Sequence, residues 1–167
     1  MLVLDTTAFY AGVPYLSNQT SYTTFEVLEE VLQKSTNKTA IQSLIDSKRL
    51  IINHYTQNSL NKIKDIAMKS GDFFSLSLAD QSVLALALDW KQIKQMSISS
   101  DDYAIQNVAK ILNIHFSPTM TKGIKKLIIW EIFCPGCGKR YKKYSSKLCE
   151  ICGTSLKRKA MKKKKSL

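Results

Sequence analysis

The sequence predicts an α/β fold, with a parallel sheet flanked by helices, followed by a small separate domain at the C-terminal end. Two observations support this prediction. Short apolar runs alternate with segments of helical periodicity through roughly the first 116 of the 167 residues, a pattern typical of parallel strands joined by helices. All four cysteines and almost all of the net charge lie beyond residue 133.

The elements of the α/β part follow one another along the chain. Short apolar runs predict strands at residues 2–4, 50–52, 96–98 and 114–116. Apolar residues at helical spacing predict helices at residues 25–33, 39–47, 78–90 and 103–112, and a further helix through Leu60, Ile63 and Ala67 that ends before Gly71. Functional sites of such sheets form beyond the carboxyl ends of the strands, so the residues that follow each strand are the candidates.

The charge is distributed unevenly. Residues 134–167 hold 12 of the 25 Lys and Arg residues but only one of the 13 acidic residues, Glu150. A near-neutral body with a basic arm favours a polyanionic partner. The most apolar stretch, 127–133, is too short to span a membrane and contains Glu131, and the first residues lack the basic region of a signal peptide. We therefore expect a cytoplasmic protein that does not interact with a membrane.

The cysteines are arranged as two Cys-x2-Cys pairs, Cys134 with Cys137 and Cys149 with Cys152. Each short turn presents two thiolates towards one point, which suits tetrahedral Zn²⁺, and no export signal favours disulfides instead. We expect an α/β domain at residues 1–117, a connector at 118–126, a zinc ribbon at 127–156 and a disordered basic tail at 157–167.

Carboxylates are the remaining candidates for chemistry, because the chain has no Gly-rich phosphate loop and only two histidines, both placed in predicted strands. Asp5 ends the first strand, and Asp101 with Asp102 follows the strand at 96–98. Asp80 lies in the first turn of the helix at 78–90, and Glu30 in the first long helix. Acids that converge at one sheet edge would repel each other unless a divalent cation lay between them, and carboxylates suit Mg²⁺ or Mn²⁺.

Each of these acids also fits a purely structural role. Asp5 and Asp101 could cap the helices that follow them, and Ser77 with Asp80 matches a capping box. Glu30 could be a solvated helix residue like Glu26. Spacing alone leaves both interpretations open.

Four segments of the chain resemble a known family. Residues 2–9 (LVLDTTAF) resemble the start of PIN-domain nucleases. Three further segments resemble motifs of the Nob endonucleases within that family: 23–31 (TTFEVLEEV), 71–86 (GDFFSLSLADQSVLAL) and 100–108 (SDDYAIQNV). Ser100 stands where the family often has Thr, which keeps the hydroxyl. A zinc ribbon directly after the PIN domain is also the domain order of that family.

The resemblance implies a site and a function. It places the PIN acids on Asp5, Glu30, Asp80 and Asp101, with Asp102 as an adjacent fifth, and leaves Glu26 as the alternative to Glu30. Asp5 and Asp101 would hold the principal Mn²⁺ or Mg²⁺. The implied activity is metal-dependent endonucleolytic cleavage of precursor small-subunit (16S-type) rRNA at its mature 3′ end. The implied partners are pre-rRNA, the precursor small ribosomal subunit and a KH-type assembly factor.

Basic and aromatic side chains between the two cysteine pairs predict an RNA-binding surface, since cations neutralise phosphates and aromatic rings stack on unpaired bases. The candidates are Lys139, Arg140, Lys142, Lys143, Tyr144 and Lys147. The tyrosines of this segment, Tyr141 and Tyr144, could equally pack within the small ribbon.

Two other functions are compatible with parts of the sequence. One is a non-catalytic assembly factor that binds pre-ribosomal RNA and uses its acids structurally. The other is a PIN-type, toxin-like ribonuclease, although such proteins are usually PIN domains without an appended ribbon. The clustered acids argue against the first alternative, because negative charge weakens RNA binding.

Overall fold

The computed structural model describes residues 1–34, 37–91, 93 and 96–161. Five parallel strands of the described chain form one sheet in the order β3-β2-β1-β4-β5. The strands are β1 (Leu2–Leu4), β2 (Ser21–Thr23), β3 (Leu50–Ile52), β4 (Ser97–Ser99) and β5 (His115–Ser117). The central pair β1 and β4 is in register with Leu4 opposite Ser99, so the residues that follow these two strands emerge side by side.

Helices cover the sheet. They are α1 (Thr6–Tyr10), α2 (Val13–Leu16), α3 (Phe25–Lys34), α4 (Lys38–Asp46), α5 (Gln57–Ser70), α6 (Leu78–Trp90) and α7 (Tyr103–Ile111). Helix α6 is the centre of the core: residues 83–87 are fully buried, which explains why this helix is apolar on every side. The predicted parallel α/β fold is confirmed. The four predicted strands and five predicted helices are also confirmed, with bounds that agree to within one or two residues, except that α5 begins three residues before Leu60.

The sequence analysis missed strand β2, which lies between β1 and β3. Its residues Ser21 and Thr23 are buried but carry hydroxyl groups, so the strand has no apolar run to reveal it. The placement of both histidines in strands was also wrong in part. His54 is an exposed loop residue after β3, whereas His115 begins β5 and is exposed as well.

The cysteine-containing part forms a second, antiparallel sheet in the order β7-β6-β8. Its strands are β6 (Trp130–Phe133), β7 (Arg140–Tyr141) and β8 (Lys157–Ala160). Strand β8 corrects the expectation of disorder from residue 157 onward, and two of its cations have acidic partners: Arg158 lies 3.3 Å from Asp72 and Lys159 lies 3.1 Å from Glu131. The rest of the expected basic tail, residues 162–167, lies outside the described residues.

The second sheet contacts the α/β body at a buried carboxylate, Asp72, which follows α5. Its oxygens accept hydrogen bonds from Trp130 Nε1 at 2.8 Å, Asn107 Nδ2 at 2.7 Å and Ser70 Oγ at 2.8 Å. Arg158 of β8 lies 3.3 Å from Asp72 and stacks over the Trp130 ring at 4.4 Å. The zinc-ribbon region is therefore docked on the body in this structure rather than hanging from the connector.

Close approach at the docking point requires glycine at position 71. Gly71 ends α5 with a φ of +87°, and its carbonyl accepts a hydrogen bond from Arg158 at 2.8 Å. A Cβ here would lie 2.6 Å from Trp130 Cβ, well inside van der Waals contact.

Among the helices within the described residues, none combines the length and the apolar character that a membrane span requires.

Candidate active site and zinc site

Asp5 is the most buried acid of the candidate site, with 1% of its surface exposed. It follows β1 and caps α1, accepting hydrogen bonds from the Ala8 amide at 2.8 Å and the Thr7 hydroxyl at 2.9 Å. Burial raises the pKa of Asp5 from 3.8 to about 6, and the charge of Asp80 adds to this effect against the opposing hydrogen bonds. The ionised form of Asp5 is thus disfavoured when no cation is present, and a cation bound beside it would stabilise that form.

Asp80 performs the capping role and still faces the other acids. Its Oδ2 accepts the Ser77 amide at 2.7 Å, and the Ser77 hydroxyl accepts the Asp80 amide at 3.1 Å, completing the predicted capping box. Burial raises the pKa of Asp80, and the charges of Asp102 and Glu30 raise it further. The structural and functional interpretations of this residue are therefore compatible.

The carboxylate of Asp101 is hydrogen-bonded to the connector. Its two oxygens accept hydrogen bonds from the backbone amides of Thr119, Met120 and Thr121 at 2.9 to 3.1 Å, and from the hydroxyls of both threonines. Burial opposes ionisation, but these donors outweigh it and hold the pKa of Asp101 far below its ordinary value. Asp101 thus anchors the connector with both of its oxygens, and its role as a metal ligand together with Asp5 stays a prediction.

Asp102 lies close enough to Asp80 for its charge to raise the pKa of that residue. Its Oδ1 accepts the Ala104 and Ile105 amides at 2.5 and 3.2 Å and so caps α7, a role that the sequence analysis had considered for Asp101. Among the described residues, every hydrogen bond to the Asp102 carboxylate goes to Oδ1, and Oδ2 stays open. The Asp102 amide donates to the Ser100 hydroxyl at 3.1 Å, and Ser100 is also bonded to Asp5.

Glu30, rather than Glu26, is directed towards the site. Thr6, the residue after Asp5, donates its hydroxyl to Glu30 Oε2 at 3.3 Å, while Oε1 pairs with Lys34 at 2.7 Å. Glu26 instead accepts the Tyr55 hydroxyl at 2.6 Å, on the side of the α/β body that faces β3 and α5. These hydrogen bonds favour Glu30 over Glu26 as the fourth acid of the predicted site.

Hydroxyl groups that the sequence analysis did not single out connect the acids. The Thr7 hydroxyl bonds Asp5 and accepts the Asp101 amide at 2.9 Å, so it joins the loops after β1 and β4. Two consecutive threonines directly after Asp5 were the only signal in the sequence that could have indicated them.

The four cysteines form a compact group. Their Sγ atoms all lie within 4.8 Å of one another, and two pairs are close: Cys134 with Cys152 at 3.4 Å and Cys137 with Cys149 at 3.6 Å. Tetrahedral Zn²⁺ with Zn–S bonds of about 2.3 Å separates its sulfur ligands by roughly 3.8 Å, so the four thiolates fit the ion. Elsewhere in the described chain, no three acidic, Cys or His side chains come this close together.

The predicted RNA-binding side chains of the ribbon are largely engaged within the molecule. Lys139 pairs with Glu150, and Arg140 with Glu131 at 2.6 Å. Three further candidates contact the α/β body. Lys143 pairs with Asp65 at 2.8 Å. The Tyr144 ring packs edge-on against Phe74 at 4.7 Å, and Lys147 lies over the same Phe74 ring at 5.3 Å.

Neither tyrosine is thus a free stacking surface here. The hydroxyl of Tyr141 donates to Cys149 Sγ at 3.1 Å, so Tyr141 packs within the ribbon, as the second interpretation of the tyrosines predicted. Tyr144 instead packs on the α/β body, an arrangement that neither interpretation foresaw, because it depends on how the two parts dock. Lys142 is exposed, without a described partner.

Comparison with known proteins gives a consistent result. Residues 2–90 match the family model described as the PIN domain of ribonuclease. The chain is similar to a Pyrococcus abyssi protein named Endoribonuclease Nob1, with 37% identity over 157 residues, 93% of this chain and 91% of the relative. It is 40% identical over 162 residues to the protein of the same name from Methanocaldococcus jannaschii (96% and 78%), and 34% identical over 159 residues to that from Methanothermobacter thermautotrophicus (94% and 91%).

Proposed function

The chain belongs to the Nob family of PIN-domain endoribonucleases, and from this premise we propose that it cleaves precursor small-subunit (16S-type) rRNA to generate the mature 3′ end. The observation that carries the proposal is the electrostatic interaction among Asp5, Glu30, Asp80 and Asp102. Burial and the charge of Asp80 raise the pKa of Asp5, and burial and the charges of Asp102 and Glu30 raise the pKa of Asp80.

These four carboxylates are the residues that would hold the catalytic ion. An all-oxygen donor set fits Mg²⁺ or Mn²⁺, and the open Oδ2 of Asp102 provides an oxygen that is not committed to helix capping. When bound, such an ion activates water and stabilises the charge that develops on the phosphate. The chain itself orients the acids: Thr7 and Ser100 fix Asp5, Ser77 fixes Asp80, and Thr6 fixes Glu30.

Asp101 is a positioning residue in this proposal. By binding residues 119–121 it fixes the connector next to Asp102, so the start of the path to the ribbon is attached to the acidic site. The ligand set proposed here therefore replaces Asp101 by Asp102 and keeps the other three acids.

The ribbon supplies positive charge for RNA. Its net charge is high because Glu150 is its one acid among residues 134–167, and Arg140, Lys142 and Lys147 remain exposed even where they have a partner. We propose that Zn²⁺ held by the four cysteines is structural and that these cations contact phosphates of the pre-rRNA. The proposed partners are the precursor small subunit and a KH-type assembly factor, and the proposed location is the cytoplasm.

The test is a cleavage assay with two acids of one helix as a matched pair. An RNA that spans the mature 3′ end and the trailing precursor segment is incubated with Mn²⁺, and the product ends are mapped to single nucleotides. We expect one dominant metal-dependent cut at the maturation boundary, reduced about 100-fold or more by Glu30→Gln because a ligand carboxylate contributes several kcal/mol at the transition state. Glu26→Gln, whose carboxylate is bonded to Tyr55, should cut like the wild type.

The alternatives predict different outcomes. Equal cleavage by the wild type and Glu30→Gln would refute the acid site. Tight binding without any cut, repeated on purified precursor subunits, would favour the non-catalytic assembly factor. Cleavage only on the purified subunits would keep the nuclease and show that its substrate must be presented by the ribosome.

A further inference from the structure

The buried amide side chain of Gln106 in α7 bonds two separate parts of the chain. Gln106 is fully buried, beside the apolar core residues of the same helix. Its Nε2 donates to the Ser100 carbonyl at 2.8 Å, and its Oε1 accepts the Ile124 amide at 2.8 Å. A buried amide loses its hydration and needs such partners, whereas an apolar side chain would fill the same space without that cost. The choice of glutamine at this position is therefore explained by its two partners rather than by its volume.

Ser100 begins the loop of residues 100–102, which we call the acid loop, and is fully buried. Its hydroxyl is bonded to Asp5 and accepts the Asp102 amide at 3.1 Å. Its carbonyl belongs to the same peptide unit as the following amide, which donates to the Thr7 hydroxyl at 2.9 Å. The carbonyl and the amide of a trans peptide unit point in opposite directions, so this plane is held from both ends. The orientation of the plane determines where the Ser100 hydroxyl and the Asp102 side chain lie.

The connector closes directly over the Gln106 amide. Gly123, the residue before Ile124, has a φ of +62°, and a Cβ at this position would lie 3.3 Å from Gln106 Oε1. The connector backbone therefore packs against the same amide that holds the acid loop.

The next side chain of α7, that of Asn107, fixes the connector at its other end. Asn107 Nδ2 donates to the Ile128 carbonyl at 2.7 Å, and its Oδ1 accepts the Ile128 amide at 2.8 Å. Its Nδ2 also donates to Asp72 at 2.7 Å, the carboxylate at which the ribbon docks. Two consecutive side chains of one helix thus link the acid loop, the connector and the docking point of the ribbon.

We propose that Gln106 is a positioning residue of the acidic site, which fixes the peptide unit after Ser100 against the connector, so that the acids reach the geometry for the catalytic ion while the connector lies on α7. This inference rests on the proposed function, because that function assigns the ion to Asp5 and Asp102. The connector continues into the ribbon, so docking of the ribbon contributes to the order of the acid loop.

The first measurement is amide hydrogen exchange, followed by NMR, on full-length, zinc-loaded protein without RNA or Mn²⁺. Gln106→Met keeps the side-chain volume and removes both hydrogen bonds. The amides of Asp101, Asp102 and Ile124 should exchange about tenfold faster than in the wild type. This increase should exceed any change at the Ser21 amide, which lies in β2 and reports on the sheet. A role in general stability alone would change all four amides equally.

Gln81→Met provides a matched control. Gln81 is also a buried helix residue, and its Nε2 also donates to a backbone carbonyl, that of Leu76 at 3.1 Å. The same replacement there removes a comparable hydrogen bond outside the acid loop and the connector. Exchange at Asp102 and Ile124 should stay within about twofold of the wild type in this variant, apart from any change shared with Ser21.

Gln106→Glu tests the hydrogen bonds separately from the packing. A protonated carboxyl has the shape of the amide, with an O–H that can donate to the Ser100 carbonyl and a C=O that can accept the Ile124 amide. Burial raises the pKa of a carboxyl, so the protonated form should dominate at about pH 5. Exchange at Ile124 and Asp102 should then match that of the wild type at the same pH. This variant decides the question if Gln106→Met does not fold.

The second measurement is the affinity for Mn²⁺, determined by calorimetry. Gln106→Met should bind Mn²⁺ about tenfold or more weakly than the wild type, the loss typical of residues that orient metal ligands. Unchanged Mn²⁺ affinity, equal changes at Asp102 and Ser21, or fast exchange in Gln106→Glu at about pH 5 would overturn the proposal. Because exchange is read without metal or RNA, the link between Gln106 and the acid loop can be supported or refuted even if the wild type cuts no RNA.

Discussion

Replacing Asp5 by Asn tests the electrostatics of the site without any substrate. The pKa of Asp5 is about 6 in the folded chain against 3.8 ordinarily, so between these values the folded state binds more protons than the unfolded state. The contribution of Asp5 to stability is therefore most favourable below about pH 4 and is lost as the pH rises through about 6. The difference corresponds to about 3 kcal/mol. Asn keeps an acceptor for the Ala8 amide but has no charge, so it avoids this loss.

The assay is urea unfolding of zinc-loaded protein, followed by circular dichroism, without Mg²⁺ or Mn²⁺. The free energy of unfolding of Asp5→Asn should match that of the wild type at about pH 4 and exceed it by up to about 3 kcal/mol above about pH 7. Adding Mn²⁺ near neutral pH should reduce the difference in unfolding free energy between the two proteins, because only the wild type retains all the carboxylates proposed to bind the ion.

A gap that does not change with pH, or an Asn variant that is less stable near neutral pH, would refute the reasoning. Asp101→Asn provides a control of opposite sign. The pKa of Asp101 is depressed in the folded chain, so its contribution is present at neutral pH and is lost as the pH falls below its ordinary value. Its replacement should destabilise the protein near pH 7.

Three further outcomes are expected. Asp102→Asn should lower the Mn²⁺ affinity, measured by calorimetry, and reduce the cleavage rate about 100-fold or more. Asp101→Asn should retain Mn²⁺ binding but make the connector more sensitive to limited proteolysis. A larger loss of Mn²⁺ affinity in Asp101→Asn than in Asp102→Asn would identify Asp101 as the ligand. Gly71→Ala should lower the free energy of unfolding in urea by about 2 to 4 kcal/mol, since it strains a positive φ and places a Cβ 2.6 Å from Trp130 Cβ. An unchanged urea midpoint would show that the ribbon is not docked here in solution. Cys137→Ser should lower the zinc content and red-shift the fluorescence of Trp130 as the ribbon unfolds, and full zinc retention would contradict a four-thiolate site.

The parallel fold could be predicted because its signals are local. Apolar runs such as residues 2–4 mark buried strands, and the apolar helix α6 marks the core. Strand β2 could not be found in this way, since Ser21 and Thr23 are buried through hydroxyl-bearing side chains rather than through apolar ones. The four-cysteine cluster could be predicted for the same reason, because each Cys-x2-Cys pair is local in the sequence.

The choice between adjacent acids could not be made from the sequence. Asp101 and Asp102 are neighbours in the chain, and either can follow the strand and cap the helix. The two acids differ in that both oxygens of Asp101 accept hydrogen bonds from residues 119–121, roughly twenty positions later in the chain. The location of Tyr144 against Phe74 likewise depends on the docking of the two parts, for which no residue pattern gave a signal.

The contact between Asp72 and Arg158 also bears on how the chain is made. The two residues are 86 positions apart, so at about 5 to 20 residues per second the ribosome adds Arg158 roughly 4 to 17 s after Asp72. During that interval the nascent α/β body can already form around Asp72, but its carboxylate lacks both the guanidinium and the indole donor of Trp130 until the end of the chain emerges. The nascent protein therefore passes through a stage in which Asp72 is bonded to Ser70 and Asn107 of the body but lacks its cation, and the two parts can join only after Arg158 has been added.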